Sequence, residues 1–332
     1  MSDEFTVIVS TPDADGVVAG ALVGRAAQGR AEALVFDSQE LVDFFRPEMQ
    51  QKLPRGYDLV LCGPEVVHTD WEGRVVRPAL MDALRAARGP VRWFSARRWD
   101  PEDQRAVAHV IGEGGLRLSN GAAPAAELVR RELCGPSDAY ADSLVRFVRG
   151  DLNEREQEAW GADAALILAA LKAEREQLAS AVALMMEERV EAMLKEFRST
   201  ALRTDEENQT EGRRQAGSVR RIADAKLVLL SLAPPRQAFW AEVSGYARQE
   251  AEAELSLCAL EGRSVLLVGR EPAAQADLEA WVGYVTDMLP GAECLSEQPD
   301  AVAFRVPGLA DDPGLRDEVI RLLEEGAHLL RR

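Results

Sequence analysis

The stretch Thr6-Val7-Ile8-Val9-Ser10-Thr11-Pro12-Asp13-Ala14-Asp15-Gly16 decides the reading of this chain. A β-branched run ends in Thr-Pro, and two carboxylates follow with one residue between them. Gly16 then opens the small-residue run Val17-Val18-Ala19-Gly20-Ala21-Leu22-Val23. That order predicts a strand over residues 5–10, an acidic loop, and a helix over about 16–29 whose Gly and Ala let it pack closely on a sheet. Asp13 and Asp15 are spaced to share one hard divalent cation. The other reading is that one of them caps the helix while Pro12 stiffens the turn. Asp-x-Asp-Gly is too short a pattern to choose between the two.

Working outward, further strands are expected at Ala33–Phe36, Tyr57–Gly63, Val91–Phe94 and Leu116–Leu118. Helical stretches fall between them, among them one from Ser38, read as a capping serine, and others at Pro78–Arg88, Asp100–Val110 and Pro124–Leu133. This β-α alternation over residues 1–135 predicts an α/β class with a mostly parallel, doubly wound sheet. From Ser137 the pattern turns helical: Tyr140–Val148, then a nearly continuous helix over Glu154–Phe197 with Met185, Met186 and Met193 at core spacing. The polar residues 199–220 are expected to form a connection or a mobile surface stretch. A second α/β pattern follows, with strands at 226–232, 255–260, 264–268 and 301–306 and helices at 237–253, 275–289 and 314–330. It predicts a smaller mixed sheet with helices on one face. The expected organisation is an α/β domain over 1–150, a helical linker with a polar connection over 151–220, and a second α/β domain over 221–332.

The chain has 332 residues, 47% of them hydrophobic, and a formal charge of −17. That length can bury two cores. The acidity argues against extended duplex nucleic acid, which needs a basic face to displace counterions. Cations do gather at Arg92–Arg98 and Arg213–Lys226, so a local phosphate pocket stays open as an option. Cys62, Cys134, Cys258 and Cys294 are far apart and make no CxxC spacing, which predicts buried thiols rather than a zinc site or disulfides. With no signal-peptide pattern and no apolar run of membrane length, the expectation is a cytoplasmic protein with no membrane contact.

Taken in order, these elements resemble the DHH phosphoesterase superfamily, the RecJ-like and oligonucleotide phosphodiesterase enzymes, in which a DHH domain, a linking helix and a smaller DHH-associated domain follow one another. The resemblance spans nearly the whole chain but is poor in motifs. The family's first motif, His-x-Asp-x-Asp-Gly, reads Thr11-Pro12-Asp13-Ala14-Asp15-Gly16, keeping both aspartates and losing the histidine. Its second, an aspartate ending a buried strand, is met by Cys62-Gly63. Its third, Asp-His-His, aligns with Ser95-Ala96-Arg97 and keeps none of the three side chains. Ala122–Val129 is similar to the family's small-residue helix before Glu-Leu-Val, which supports fold rather than chemistry. Gly150-Asp151 is the counterpart of a fourth family aspartate. In the second domain, Glu325-Gly326-Ala327-His328 is the nearest match to a Gly-Gly-Gly-His substrate loop, and Phe304-Arg305 resembles a strand carrying a substrate-contacting arginine.

The resemblance implies metal-assisted hydrolysis of a phosphodiester or phosphoanhydride by two divalent cations, usually manganese. Each ion takes about six donors, yet the chain holds three histidines, His68, His109 and His328. A reduced metal site would use Asp13, Asp15, His68 and Asp151, with Asp13, Asp15 and Asp151 as catalytic candidates and Mn2+ or Mg2+ as the ion; otherwise no cofactor is expected. Arg97 would instead set a cation where metal charge belongs, and with Arg98 could hold a phosphate without hydrolysing it. Arg305 and His328 are the phosphate-binding candidates of the second domain, against ordinary exposed side chains. Three functions follow. The first is a protein that has lost two-metal catalysis and binds a nucleotide, a phosphorylated ligand or a protein partner. The second is an active phosphodiesterase on short oligonucleotides, cyclic dinucleotides or polyphosphate. The third is a scaffold that uses the long central helix. A homodimer is compatible with all three.

Overall fold

The computed structural model describes residues 5–28, 30–54, 56–70, 73–87, 89–222, 224–271, 277–298 and 300–331. The predicted helix ends Gly29 and Arg88 and the predicted helix start Gln275 lie outside the described residues. The chain divides within one helix into two compact units, one built mainly from residues up to Leu202 and the other from Arg203 onward.

The first unit is organised around β1 (Thr6–Ser10), a strand buried along its whole length. It pairs in parallel with β2 (Ala31–Val35) on one side and β3 (Asp58–Cys62) on the other. β4 (Val91–Ser95) and β5 (Leu116–Leu118) extend the sheet, again in parallel, to the order β2-β1-β3-β4-β5. Period-two alternation sends Ile8, Val60 and Phe94 into one core and Val7, Val9, Leu59, Leu61 and Trp93 into the other. The central strands β1 and β3, buried along their whole length, read as nearly continuous apolar runs; β2, β4 and β5 carry Glu32, Arg92 and Arg117 and were legible from the β-α alternation.

The helix Ala14–Ala26 is apolar on every side and buried from Gly16 to Gly24. It lies between the sheet and the helix Arg175–Met186. A side-chain carbon at Gly20 would stand 2.1 Å from Ser10 Oγ, and one at Gly24 would stand 2.2 Å from Met186 Cε. Met185 and Met193 are fully buried in the same core, so the methionine stripe packs against its own chain.

The expected 154–197 helix is instead segmented: a turn at Glu154–Glu156, a π-helical turn at Gln157–Gly161, then Ala162–Leu171 and Arg175–Met186. Glu188, in the left-handed region at φ 60°, breaks the chain before the next helix. No Gly or Pro marks that break, so the sequence hid it. The long linking helix is present, but over Val190–Gln215, and most of the 199–220 stretch, expected as a connection or a mobile surface stretch, lies inside it. Its surface is stitched by pairs such as Arg214–Glu211 at 2.5 Å, which explains how so polar a segment stays helical.

The second unit holds a mixed sheet in the order β10-β11-β9-β8-β7-β6. Its strands are β6 (Val219–Ile222), β7 (Ala225–Leu232), β8 (Leu255–Leu260), β9 (Val265–Arg270), β10 (Glu293–Gln298) and β11 (Ala301–Arg305). β7 and β8 are parallel and the other pairs antiparallel. The two edge strands, β6 and β10, were not anticipated, because Arg220, Arg221 and Glu293 give them a polar reading; edge strands carry such residues in place of an apolar run. Helices cover both faces of this sheet rather than one. Leu255, Leu257 and Val268 pack with Trp281 and Val285 of the helix Leu278–Met288. From the opposite face, Ser256 accepts a hydrogen bond from Arg248 of the helix Trp240–Ala251, at 2.8 Å. β8 is buried at every residue, which requires cover on both sides. Among the cysteines, Cys62 and Cys258 are buried thiols; Cys134 is half-buried and Cys294 exposed, against the expectation for all four. Among the described residues, no helix is long and apolar enough to cross a membrane.

Candidate functional site

The loops that follow β1, β2, β3 and β4 bring Asp13 and Asp15, Asp37, Glu65 and Arg97 to one end of the parallel sheet. Asp13 takes extended backbone geometry as the N-cap of the helix Ala14–Ala26 and accepts the Gly16 N–H at 2.8 Å. The capping reading therefore applies to Asp13. Its Oδ2 faces Arg97, with Nη2 at 3.8 Å. The turn carrying Arg97 is fixed by its own backbone N–H, which donates to Ser95 Oγ at 3.2 Å.

Asp15 has a role that no pattern in the chain announces. Its carboxylate reaches across to the helix Ala125–Leu133 and accepts the N–H groups of Ala125 (2.8 Å) and Ala126 (2.9 Å). The residue at that helix's own N-cap is Pro124, whose side chain makes no capping bond, so Asp15 supplies the cap from a distant part of the chain. Burial pushes the Asp15 carboxyl up to about 6; the two amides oppose that shift and the neighbouring Asp13 adds to it.

Asp37 and Glu65 were missed by sequence reasoning. Asp37, not Ser38, caps the turn Ser38–Glu40, and a reciprocal bond from its own N–H to Glu40 completes a capping box. The Glu65 N–H donates to Ser38 Oγ at 3.1 Å, which ties the β3 loop to the β2 loop. Burial raises both carboxyls; the charge of Arg175 lowers Asp37 and that of Arg97 lowers Glu65, while Asp13 pushes both up. An acidic residue shortly after each strand end was the available signal.

The other predicted residues lie elsewhere. His68 Nε2 is 2.7 Å from Asp103 Oδ2, a carboxylate that also accepts from Arg77 Nε at 2.6 Å. This cluster fastens the β3 loop to the helix Pro101–Ile111 rather than feeding the strand-end crevice. Asp151 is exposed, and its N–H closes the end of the helix Ala139–Arg149 on Arg146 O at 2.8 Å. Arg98 and His109 are exposed. In the second unit, Arg305 is paired across the strands with Glu293, Nε to Oε1 at 3.0 Å. His328 is exposed, its Nδ1 3.2 Å from the Glu325 carbonyl oxygen. Within the cation cluster 213–226, Arg213 and Lys226 pair with Glu250 and Glu252 at 3.8 and 3.6 Å, so acidic neighbours offset part of its charge.

No protein-family model matches the chain, and no curated protein sequence does. Solved structures do. The chain is similar to the exonuclease RecJ bound to manganese, at 13% identity and a TM-score of 0.59, covering 98% of this chain and 90% of that one. It is similar to RecJ of Thermus thermophilus in complex with Mn2+, at 12% identity and a TM-score of 0.64, covering 99% of this chain and 53% of that one. It is also similar to the DHH domain of a member of a family of ribosomal proteins, at 13% identity and a TM-score of 0.64, covering 99% and 88%. The chain shares the fold of these RecJ and DHH-domain structures. It spans about half the length of the Thermus protein, and at these identities the likeness concerns fold.

A DHH fold raises the question of whether these residues fit a pair of divalent ions. They do not. Among the described residues, no three His, Cys, Asp or Glu side chains are grouped to hold a metal ion. Asp13, Asp15, His68 and Asp151 are therefore not gathered into one donor set. Both Asp15 oxygens accept backbone N–H bonds, one Asp13 oxygen is spent on a cap, and the other faces a guanidinium.

Proposed function

We propose that this chain is a DHH-fold protein that has given up two-metal hydrolysis and works by recognition, taking a nucleotide or another phosphorylated small ligand at the strand-end crevice. The observation that carries the reading is the guanidinium of Arg97 opposite Asp13, at 3.8 Å. A crevice balanced by an arginine keeps a phosphate-seeking cation without a bound ion, and a planar guanidinium offers paired N–H donors to phosphate oxygens. Arg98, exposed on the same turn, supplies a second cation for the ligand.

The test is calorimetry with AMP and with inorganic pyrophosphate in the presence of a chelator, beside a hydrolysis assay on a short oligonucleotide with Mn2+. Expected are metal-independent binding weakened about tenfold by Arg97→Ala and no turnover. Turnover at ordinary enzymatic rates that requires Mn2+ would sink the reading.

A second reading, an active phosphodiesterase, is favoured by Asp13 and Asp15 standing together at the start of the first helix, with Asp15 raised by burial to about 6. Under it, Asp13→Asn and Asp15→Asn each abolish turnover.

A further inference from the structure

Part of the misfit between the crevice and a metal pair can be assigned to one side chain. Loops after three adjacent strands deliver four carboxylates, Asp13, Asp15, Asp37 and Glu65, to one place. Their charges act on each other: Asp13 raises Asp15, Asp37 and Glu65, and Asp37 raises Glu65. Two cations answer them. Arg175, held to Glu40 at 3.0 Å, serves the Asp37 side. Arg97, from the loop after a fourth strand, serves Asp13, Asp15 and Glu65. Arg97 is also placed by more than attraction: its turn is pinned through Ser95 Oγ at 3.2 Å, and that hydroxyl is in turn 3.4 Å from the Gly63 carbonyl at the end of β3.

We propose that Arg97 is the resident cation of this crevice: it takes over the charge balance a divalent ion would provide, and by lying against Asp13 it keeps such ions out. A divalent ion beside the Arg97 guanidinium meets direct charge repulsion, moderated by solvent because the Arg97 and Asp13 side chains are partly exposed. Its ligands would also have to leave the guanidinium and the amide N–H groups that now hold them. This goes beyond the proposed loss of hydrolysis, on which it rests in part, because it names what replaced the metal and predicts how to reverse the exchange.

The experiment uses the full chain and Mn2+ alone, read by calorimetry and by the shift in thermal midpoint, so that it does not depend on any substrate. The wild type is expected to take up no Mn2+ at about 1 mM. Arg97→Gln, which removes the charge and keeps a polar side chain, is expected to bind Mn2+ at least about tenfold more tightly than wild type. That gain should vanish in the double variant Asp13→Asn/Arg97→Gln, and Arg97→Lys should not show it. Two results overturn the inference: wild-type Mn2+ binding that Asp13→Asn abolishes, or a folded Arg97→Gln that gains none. Should Arg97→Gln fail to fold, Arg97→Met is titrated in its place, and a folded Arg97→Met that gains no Mn2+ binding overturns the inference. Substrate turnover is scored separately, so failure here is distinguishable from failure of the functional reading.

Discussion

From Gly16 to Gly24 the first helix is buried on every side, while one turn earlier the same loop carries two carboxylates, one of them facing a guanidinium. The two regions share residues 13–16 and are built to different requirements. Packing demands that particular atoms be absent. Gly16 sits where a side-chain carbon would fall 2.1 Å from Thr11 Oγ1 and 2.8 Å from the Thr11 backbone nitrogen and oxygen. The crevice demands only that its charge be balanced, and an arginine can do that as well as an ion. A fold can therefore hold its helix–sheet contacts fixed while the chemistry above them changes.

The contrast is broken most sharply at Gly16. Gly16→Ala is expected to cost about 3 kcal/mol in urea unfolding of the first unit, at the upper end for overpacking. The clash is with backbone held by the Thr11 N–H bond to Cys62 O at 3.0 Å, so it cannot be relieved by a rotamer change. A loss under about 0.5 kcal/mol, the range of an unremarkable surface change, would mean that close approach is not what sets this helix.

Burial and charge meet at Asp15, and pH separates them. Its carboxyl is raised from 3.8 to about 6. A group raised on folding lends stability that is complete below its unfolded value and lost as pH climbs through its folded value. Wild-type stability from this residue should therefore decline between about pH 4 and pH 6, by roughly 3 kcal/mol for a rise of that size. Asp15→Asn cannot ionise and keeps one oxygen to accept from Ala125 or Ala126. The stability of wild type minus that of Asp15→Asn, measured by denaturation from about pH 4 to pH 8, should fall as pH rises and level off above about pH 7. A difference independent of pH would show that the cap on the helix Ala125–Leu133 outweighs burial.

How far the sequence reached follows the same division. The central strands β1 and β3 and the small-residue helix were legible because burial on both faces writes itself as apolar runs. β6 and β10 were not, since edge strands hide under Arg220, Arg221 and Glu293. The break at Glu188 was invisible because a left-handed residue without Gly or Pro leaves no mark. At the crevice, Arg97 beside Asp13 could be read from the resemblance. The partnership of Asp15 with Ala125 and Ala126 could not, because a backbone N–H carries no side-chain signature and the two segments are far apart in sequence. His68 looked like a ligand only while Asp103, the carboxylate it actually meets, lay unnoticed in a helix.

The smallest effect is expected at Thr11, which stands on the boundary between the two regions. Its hydroxyl is buried, with the residue 4% exposed, and has no hydrogen-bond partner among the described residues. It fills the gap between Gly16 and Gly63, where a side-chain carbon on either glycine would meet it at 2.1 Å. In that position it acts as a small packing group and not as a site residue. Thr11→Val keeps the branched shape and removes a buried polar atom that nothing satisfies, so stability should stay within about 0.5 kcal/mol of wild type or rise by up to about 1 kcal/mol. Ligand affinity at the crevice should not change. If calorimetry with AMP instead shows the variant binding about tenfold more weakly at unchanged stability, the hydroxyl belongs to the crevice, and the line between packing and chemistry runs one residue earlier in the chain than Pro12.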